Sequence, residues 1–308
     1  SWQSLRLNMP PVPIHDLVVK DSDLVAGTYG RGFWILDDLT PLHQITEQTA
    51  KTSAHLFKPR PAYRLLHEPL WRLNEKPAPG EKNYFIAILG SPMTFNETVT
   101  PEGETVRNFL NAGTNPPEGV IATYYLGQKP EGEVKLNILD GKGQMIKSFS
   151  SRATQRPRVS VEEGANRFVW DMRYQGAREV PGDDSISQYP TAPLAPPGTY
   201  QAQLIVGGQA QTESFEIHKD PRLAVTQDDL EAQFNLTIEI RDKVSEASDA
   251  VIQLRDVWQQ VDAWERHAEG RSEGVVEAAK GLKETLSGIE GDLIPPPRAG
   301  TRTGFGSK

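Results

Sequence analysis

The chain has no cysteine. Disulfides, thiolate metal sites and cysteine nucleophiles are therefore excluded, while the compartment stays open. No apolar run approaches the roughly 20 residues that span a bilayer, and no signal-peptide pattern opens the sequence. Ser1 in place of a methionine gives the expectation of a processed chain or a fragment. Positive charge is also scarce: Lys and Arg total 33 against 41 Asp and Glu, for a net charge of −8. With no basic stripe to offset that balance, neither nucleic acid nor an anionic membrane surface is expected as the main partner. The six histidines are scattered and never take the i, i+4 spacing of a helical zinc pair, so no metal site is expected. No G-x-S-x-G elbow occurs, and no glycine-rich loop joins a strand to a helix, so the sequence implies neither a serine hydrolase of that type nor a phosphate-binding cofactor.

What the chain does have is length and punctuation. Its 308 residues suffice for two or three domains, and 26 Gly with 24 Pro make up about a sixth of it. That composition favours short strands and many turns over long βα units. A strand over Trp2–Leu7 is expected, then a connector made rigid by Pro10, Pro11 and Pro13. Three antiparallel strands follow, Ile14–Val19, Leu24–Thr28 and Phe33–Leu36, with tight turns at Lys20–Asp23 and at Gly30-Arg31-Gly32. Asp38 is expected to cap a helical turn through Thr40-Pro41-Leu42.

These residues carry a resemblance. Trp2 through the prolines, then Asp16-Leu17-Val18-Val19, then Leu24-Val25-Ala26-Gly27-Thr28-Tyr29-Gly30-Arg31-Gly32-Phe33-Trp34-Ile35-Leu36-Asp37-Asp38, resemble the last blade of bacterial sortilin-type BNR-repeat β-propellers, often labelled glycosyl hydrolases. Asn115-Pro116-Pro117-Glu118-Gly119, Asn166-Arg167-Phe168-Val169-Trp170-Asp171, Pro197-Gly198-Thr199-Tyr200 and Lys219-Asp220-Pro221-Arg222 are similar to the region that follows the propeller in that family. The resemblance implies an exported protein, periplasmic or extracellular, whose catalytic or ligand-binding centre lies in upstream blades. A blade has four strands and a propeller commonly closes 4–8 blades. Three strands of one blade leave open edges. The remaining blades, from the same protein or another chain, are therefore expected partners.

The expected fold class is mainly β with a C-terminal α-helical hairpin: a terminal β-propeller blade, an immunoglobulin-like β-sandwich and two antiparallel helices. Residues 1–46 would be the incomplete blade and 47–118 a linker and irregular insertion. Short strands are expected there at His55–Lys58 and Ala62–Leu65, another at Tyr84–Leu89, and loop over Met93–Pro117. Residues 119–220 would be the sandwich, with about seven strands, a hairpin turn at Asp140-Gly141, a short strand near Val159, and Phe168, Trp170, Met172 and Tyr174 on one face. Residues 221–294 would be the helical hairpin and 295–308 a disordered tail.

The hairpin is read from a capping box at Thr226-Gln227-Asp228-Asp229 and from the stripe Leu236, Ile240, Val244, Ala247, Val251, Leu254, Trp258 and Val261. Gly270 ends the first helix and Ser272 starts the second. In the second helix Gly274, Gly281 and Gly288 recur every seven residues. Either another backbone approaches closely there or the helix is marginal.

No residue is assigned a catalytic role. Asp37-Asp38, Asp183-Asp184 and Asp228-Asp229 are read as turn and cap residues, and Asp37 and Asp38, as neighbours on a strand, point to opposite faces and are not expected to act as one pair across a glycosidic bond. Tyr29, Arg31 and Trp34, two aromatics and a planar cation beside a turn, are the candidate ligand contacts, suited to sugar hydroxyls or carboxylates. The competing reading pairs Arg31 with Asp37 and packs Trp34 between blades. A glycan or peptide ligand and a homo-oligomer are the other partners considered. The alternative function is a non-enzymatic binding or assembly protein with helix-mediated oligomerisation.

Overall fold

A computed structural model of the chain describes residues 4–65, 82–86, 94–99, 105–109, 113, 116–181 and 192–293. It is mainly β, with a pair of helices at its C-terminal end. Ser4–Leu7 is irregular and not a strand, and Leu7 takes a positive φ of 48° just before the prolines. Strands β1 (Ile14–Lys20), β2 (Asp23–Thr28) and β3 (Phe33–Leu36) form an antiparallel meander in that order. Val18 pairs with Val25 and Val25 with Ile35, while Leu17 pairs with Ala26 and Ala26 with Trp34. Alternation therefore gives this sheet an apolar row on each face. Helix α1 (Thr40–His43) follows. Its N-cap is the buried Leu39, so Asp38 stands one residue early, with its carboxylate accepting the Thr40 N–H at 3.2 Å.

The segment expected as linker contributes strands. β4 (Ala54–Leu56), β5 (Ala62–Arg64) and β6 (Lys82–Ile86) lie close to the expected positions. By contrast, β7 (Thr94–Val99) and β8 (Thr105–Phe109) replace expected loop and pair into a β6-β7-β8 meander. Both contain the strand-favouring residues Thr, Val and Phe but without regular alternation, so no strand pattern stands out among the surrounding Gly, Asn and Pro.

Six strands follow: β9 (Val120–Leu126), β10 (Val134–Asp140), β11 (Met145–Ser150), β12 (Gly164–Trp170), β13 (Gly198–Val206) and β14 (Gln209–Lys219). They form two sheets of order β11-β10-β13-β14-β5 and β12-β9-β4. β5 joins the first in parallel with β14, and β4 the second antiparallel to β9. No strand forms at Val159, which is buried all the same, its N–H bonded to the Ser150 carbonyl. β12 stops at Trp170 because Met172 turns to a φ of 57°, which carries Tyr174 off the expected face.

The chain divides into two compact units, residues 1–136, 149–171 and 199–220, and residues 137–148, 172–198 and 221–308. In the first, Leu56, Val120, Tyr124, Leu126, Trp170, Leu204 and Ile217 are fully buried. The Trp170 ring lies 5.9 Å from that of Tyr200 and 6.3 Å from that of Phe215, and Phe149 meets Phe168 at 4.6 Å. Gln211 ties β14 to β4: its side-chain oxygen accepts the Leu56 N–H and its amide donates to the Ala54 carbonyl. The buried Tyr124 hydroxyl donates to the Ser160 carbonyl at 2.6 Å, and burial pushes its pKa well up.

The second unit holds α2 (Gln227–Ala268) and α3 (Glu273–Leu293). The capping box at Thr226 forms as read, with the threonine hydroxyl accepting the Asp229 N–H while the Asp229 carboxylate accepts the Thr226 N–H. Replacing Thr226 with Ala is expected to cost about 1 kcal/mol, read as faster hydrogen exchange in the first turn of α2. Gly270, at φ 69°, turns the chain between the helices. Arg255 pairs with Glu290 at 2.8 Å and Asp262 with Lys283 at 2.9 Å, which fixes an antiparallel register. Lys283 also reaches Glu265 and lies 4.9 Å above the Trp258 ring.

With 42 residues against 21, α3 can cover only half of α2. Leu236 and Ile240 of the α2 stripe, N-terminal to the part α3 reaches, stay exposed, whereas Val251 is fully buried. Toward its N-terminal half, α2 meets residues 172–181: Arg178 pairs with Asp249 at 2.8 Å and Tyr174 packs on Phe234. At Gly274, Gly281 and Gly288 a Cβ would meet nothing within 4 Å. Close approach by any of the described residues therefore does not explain these glycines.

Candidate functional site

The β2–β3 turn is closed by Thr28, whose N–H and hydroxyl both donate to the Gly32 carbonyl, at 3.1 and 2.7 Å. Gly30 and Gly32 both need positive φ, 78° and 70°, to complete it. The Tyr29 N–H is bonded to the Pro13 carbonyl, and its ring stacks on His15 at 5.3 Å. The Trp34 indole N–H donates to the Arg31 carbonyl at 3.1 Å. Tyr29 and Arg31 are exposed, and Trp34 is half-buried on the Leu17/Ala26 face.

The three candidate contacts are thus gathered at one turn but do not converge on a single surface. The Trp34 donor is already used, which leaves the Tyr29–His15 stack and the exposed Arg31 as the available recognition elements. Sequence reading missed two neighbours. His15 could have been found from its place opposite the turn. Phe33, 81 % exposed, could have been found from alternation, which sets it on the face opposite Trp34.

Arg31 does not pair with Asp37. The cations acting on Asp37 are Arg60 and Arg167, and Arg60 itself contacts Asp23 at 3.2 Å. Asp23 also accepts the Asp38 N–H at 2.8 Å. Burial, and next the negative charge of Asp23, raise the Asp37 carboxyl above its ordinary value, with the two arginines offsetting part of the rise. A raised carboxyl stabilises the fold while protonated and loses that contribution as pH climbs through its folded value. Asp37→Asn is therefore expected to raise the unfolding midpoint at neutral pH and to give no gain near pH 3. A thermal melt at each pH reads both.

Among the described residues, the carboxylate that acts most on Asp37 is Asp23, itself engaged by Arg60 and by the Asp38 N–H. Asp183 and Asp184 lie outside the described residues. Depressions at the α2–α3 turn, bordered by Glu269, Arg271 and Lys280, and along α2, bordered by Asp242, Glu246 and Asp249, lie away from the β2–β3 turn in sequence and are charged at their rims. Among the described residues no cluster of three or more His, Asp or Glu could hold a metal ion. No helix among them is long and apolar enough to cross a membrane.

Around the turn the sheet itself is the larger feature. Val18, Phe33 and Ile35 are exposed on one face, Leu17 and Val19 on the other, and β1 and β3 have no further strand partner among the described residues. Compared with protein-family models, curated proteins and solved structures, the chain has no match.

Proposed function

We propose that this chain is the C-terminal accessory region of an exported protein whose β-propeller, of the sortilin-type BNR-repeat kind, is completed by strands outside residues 1–46. The observation that supports this reading is the β1–β3 sheet, apolar on both faces and, among the described residues, unpaired at both edges. Open edges and exposed apolar faces of this kind call for cover by further strands. Neighbouring blades would cover both faces, and a fourth strand would take an edge.

In this reading residues 119–220, with β4 and β5 added from the preceding segment, form an immunoglobulin-like sandwich with Trp170 as its core anchor. The ligand centre lies in the upstream blades, and Tyr29 and Arg31 are rim contacts for a glycan or a carboxylate. The chain itself supplies no catalytic residue.

Hydrogen exchange tests the carrying observation. Edge amides of β1 and β3 are expected to be protected in the protein that includes the upstream blades and to exchange rapidly in residues 1–308 alone. Equal exchange in both overturns the reading. A glycan panel assayed for binding and cleavage with the longer protein tests the hydrolase part, which fails if no glycan responds. The second reading, a non-enzymatic assembly protein, is favoured by one separate feature, the exposed apolar face of the helical pair.

A further inference from the structure

We propose that α3 is a hinged strap with Lys283 as its latch: it undocks from α2 and unwinds as one unit about the Gly270 turn, while α2 stays helical. This concerns the helical pair alone and stands whether or not blades precede the chain. Little apolar surface holds α3 down. Of its residues Ala279 and Leu286 are buried, whereas Val275, Leu282, Ile289 and Leu293 are exposed. At about 100° per residue those four fall on one side of Leu286, and Ala279, Lys283 and Glu290 on the other. α2 therefore docks on the flank where the apolar stripe of α3 turns polar.

Charge holds that flank. The Arg255 guanidinium donates twice to one oxygen of Glu290, at 2.8 Å. Lys283 donates to Asp262 at 2.9 Å and to Glu265 at 2.6 Å, and its ammonium lies 4.9 Å above the Trp258 ring. Three contacts from α2 thus converge on one lysine. The Lys283 side chain is 20 % exposed and Glu265 is buried, so these groups have given up most of their water. They recover that hydration when they part, which offsets much of the attraction, and a seam of this kind holds less firmly than apolar packing of the same area.

The two helices differ in how far they depend on docking. Most helical stability in proteins comes from packing, and each glycine weakens a helix relative to Ala. The 21 residues of α3 include Gly274, Gly281, Gly288 and Gly291, and the space above all four is open. They weaken the helix without serving a contact among the described residues, so α3 is helical only while docked. No glycine interrupts the 42 residues of α2, which has its capping box and is braced by residues 172–181. There Arg178 pairs with Asp249, its N–H donates to the Ser245 hydroxyl, Arg241 reaches the Gln175 carbonyl and Tyr174 packs on Phe234.

Hydrogen exchange read by mass spectrometry on the whole chain tests this. Amides of α3 are expected to exchange together, at least tenfold faster than those of residues 237–251. Raising the salt from about 0.01 M to about 1 M shortens the screening length from roughly 30 Å to 3 Å and is expected to speed α3 about threefold. Lys283→Met keeps the length of the side chain and removes the latch. It is expected to speed α3 a further tenfold or more, with residues 237–251 unchanged. Gly281→Ala, where a Cβ meets nothing within 4 Å, acts in the other direction and is expected to slow α3 about threefold. A common exchange rate for α3 and residues 237–251 makes the pair one folding unit and overturns the proposal. So does wild-type exchange in Lys283→Met, or an α3 that Gly281→Ala fails to slow.

Discussion

Trp170→Ala is expected to destabilise the first unit by about 3–5 kcal/mol, the cost of deleting a large aromatic from a core that cannot collapse around the gap. Trp170 is 1 % exposed and sits at the end of β12, paired with Val120 of β9, with its ring against those of Tyr200 on β13 and Phe215 on β14. It therefore joins strands of both sheets. Tyr200 and Phe215, themselves stacked at 6.0 Å, are held by backbone pairing and cannot move in to fill the space. Urea unfolding followed by tryptophan fluorescence and circular dichroism reads the change. Against a typical domain stability of about 5–15 kcal/mol, a loss of that size brings the unit close to unfolding at 37 °C. A loss below about 1 kcal/mol would show that Trp170 is not the anchor of this core.

Gly119→Ala is expected to be comparably severe for a different reason. Gly119 takes a φ of 128°, where an L side chain is strained, and an added Cβ would overlap the carbonyl oxygen of Trp170. The methyl therefore meets backbone on a paired strand, which cannot turn aside as a flexible side chain would. Loss of at least about 3 kcal/mol, or failure to accumulate in soluble form, is expected. Gly132→Ala is the matched control, because a Cβ there meets nothing within 4 Å and its φ is ordinary. If the two variants unfold at the same urea concentration, the approach of β12 to residue 119 is not a constraint on the fold.

The elements that could be read from residues are those whose cause is local. The capping box at Thr226, the stop at Gly270, the hairpin turn at Asp140-Gly141 and the meander from Ile14 to Leu36 all depend on neighbours a few residues away. Where a partner was distant, the strand could be read but not its sheet. β4 and β5 were expected as short strands of a linker, and their places beside β9 and β14, up to about 150 residues further on, show only in the structure. The expected face of Phe168, Trp170, Met172 and Tyr174 obeys a perfect alternation, but the backbone leaves the strand at Met172. Arg31 was set against Asp37 by proximity in sequence, although the Trp34 indole holds the Arg31 carbonyl and Arg60 and Arg167 serve the acid.

By itself the sequence determined the class of the protein: acidic, cysteine-free, turn-rich strands followed by two amphipathic helices. Charge, composition and short-range periodicity act residue by residue, so no fold is needed to read them. Tertiary structure alone decided which surfaces remain uncovered. A stripe of Leu, Val and Trp looks the same in sequence whether it meets another helix or solvent. Only the exposure of Trp264 on a stretch of α2 that α3 does reach, and the pairing of three strands with no fourth among the described residues, show which apolar side chains are left uncovered.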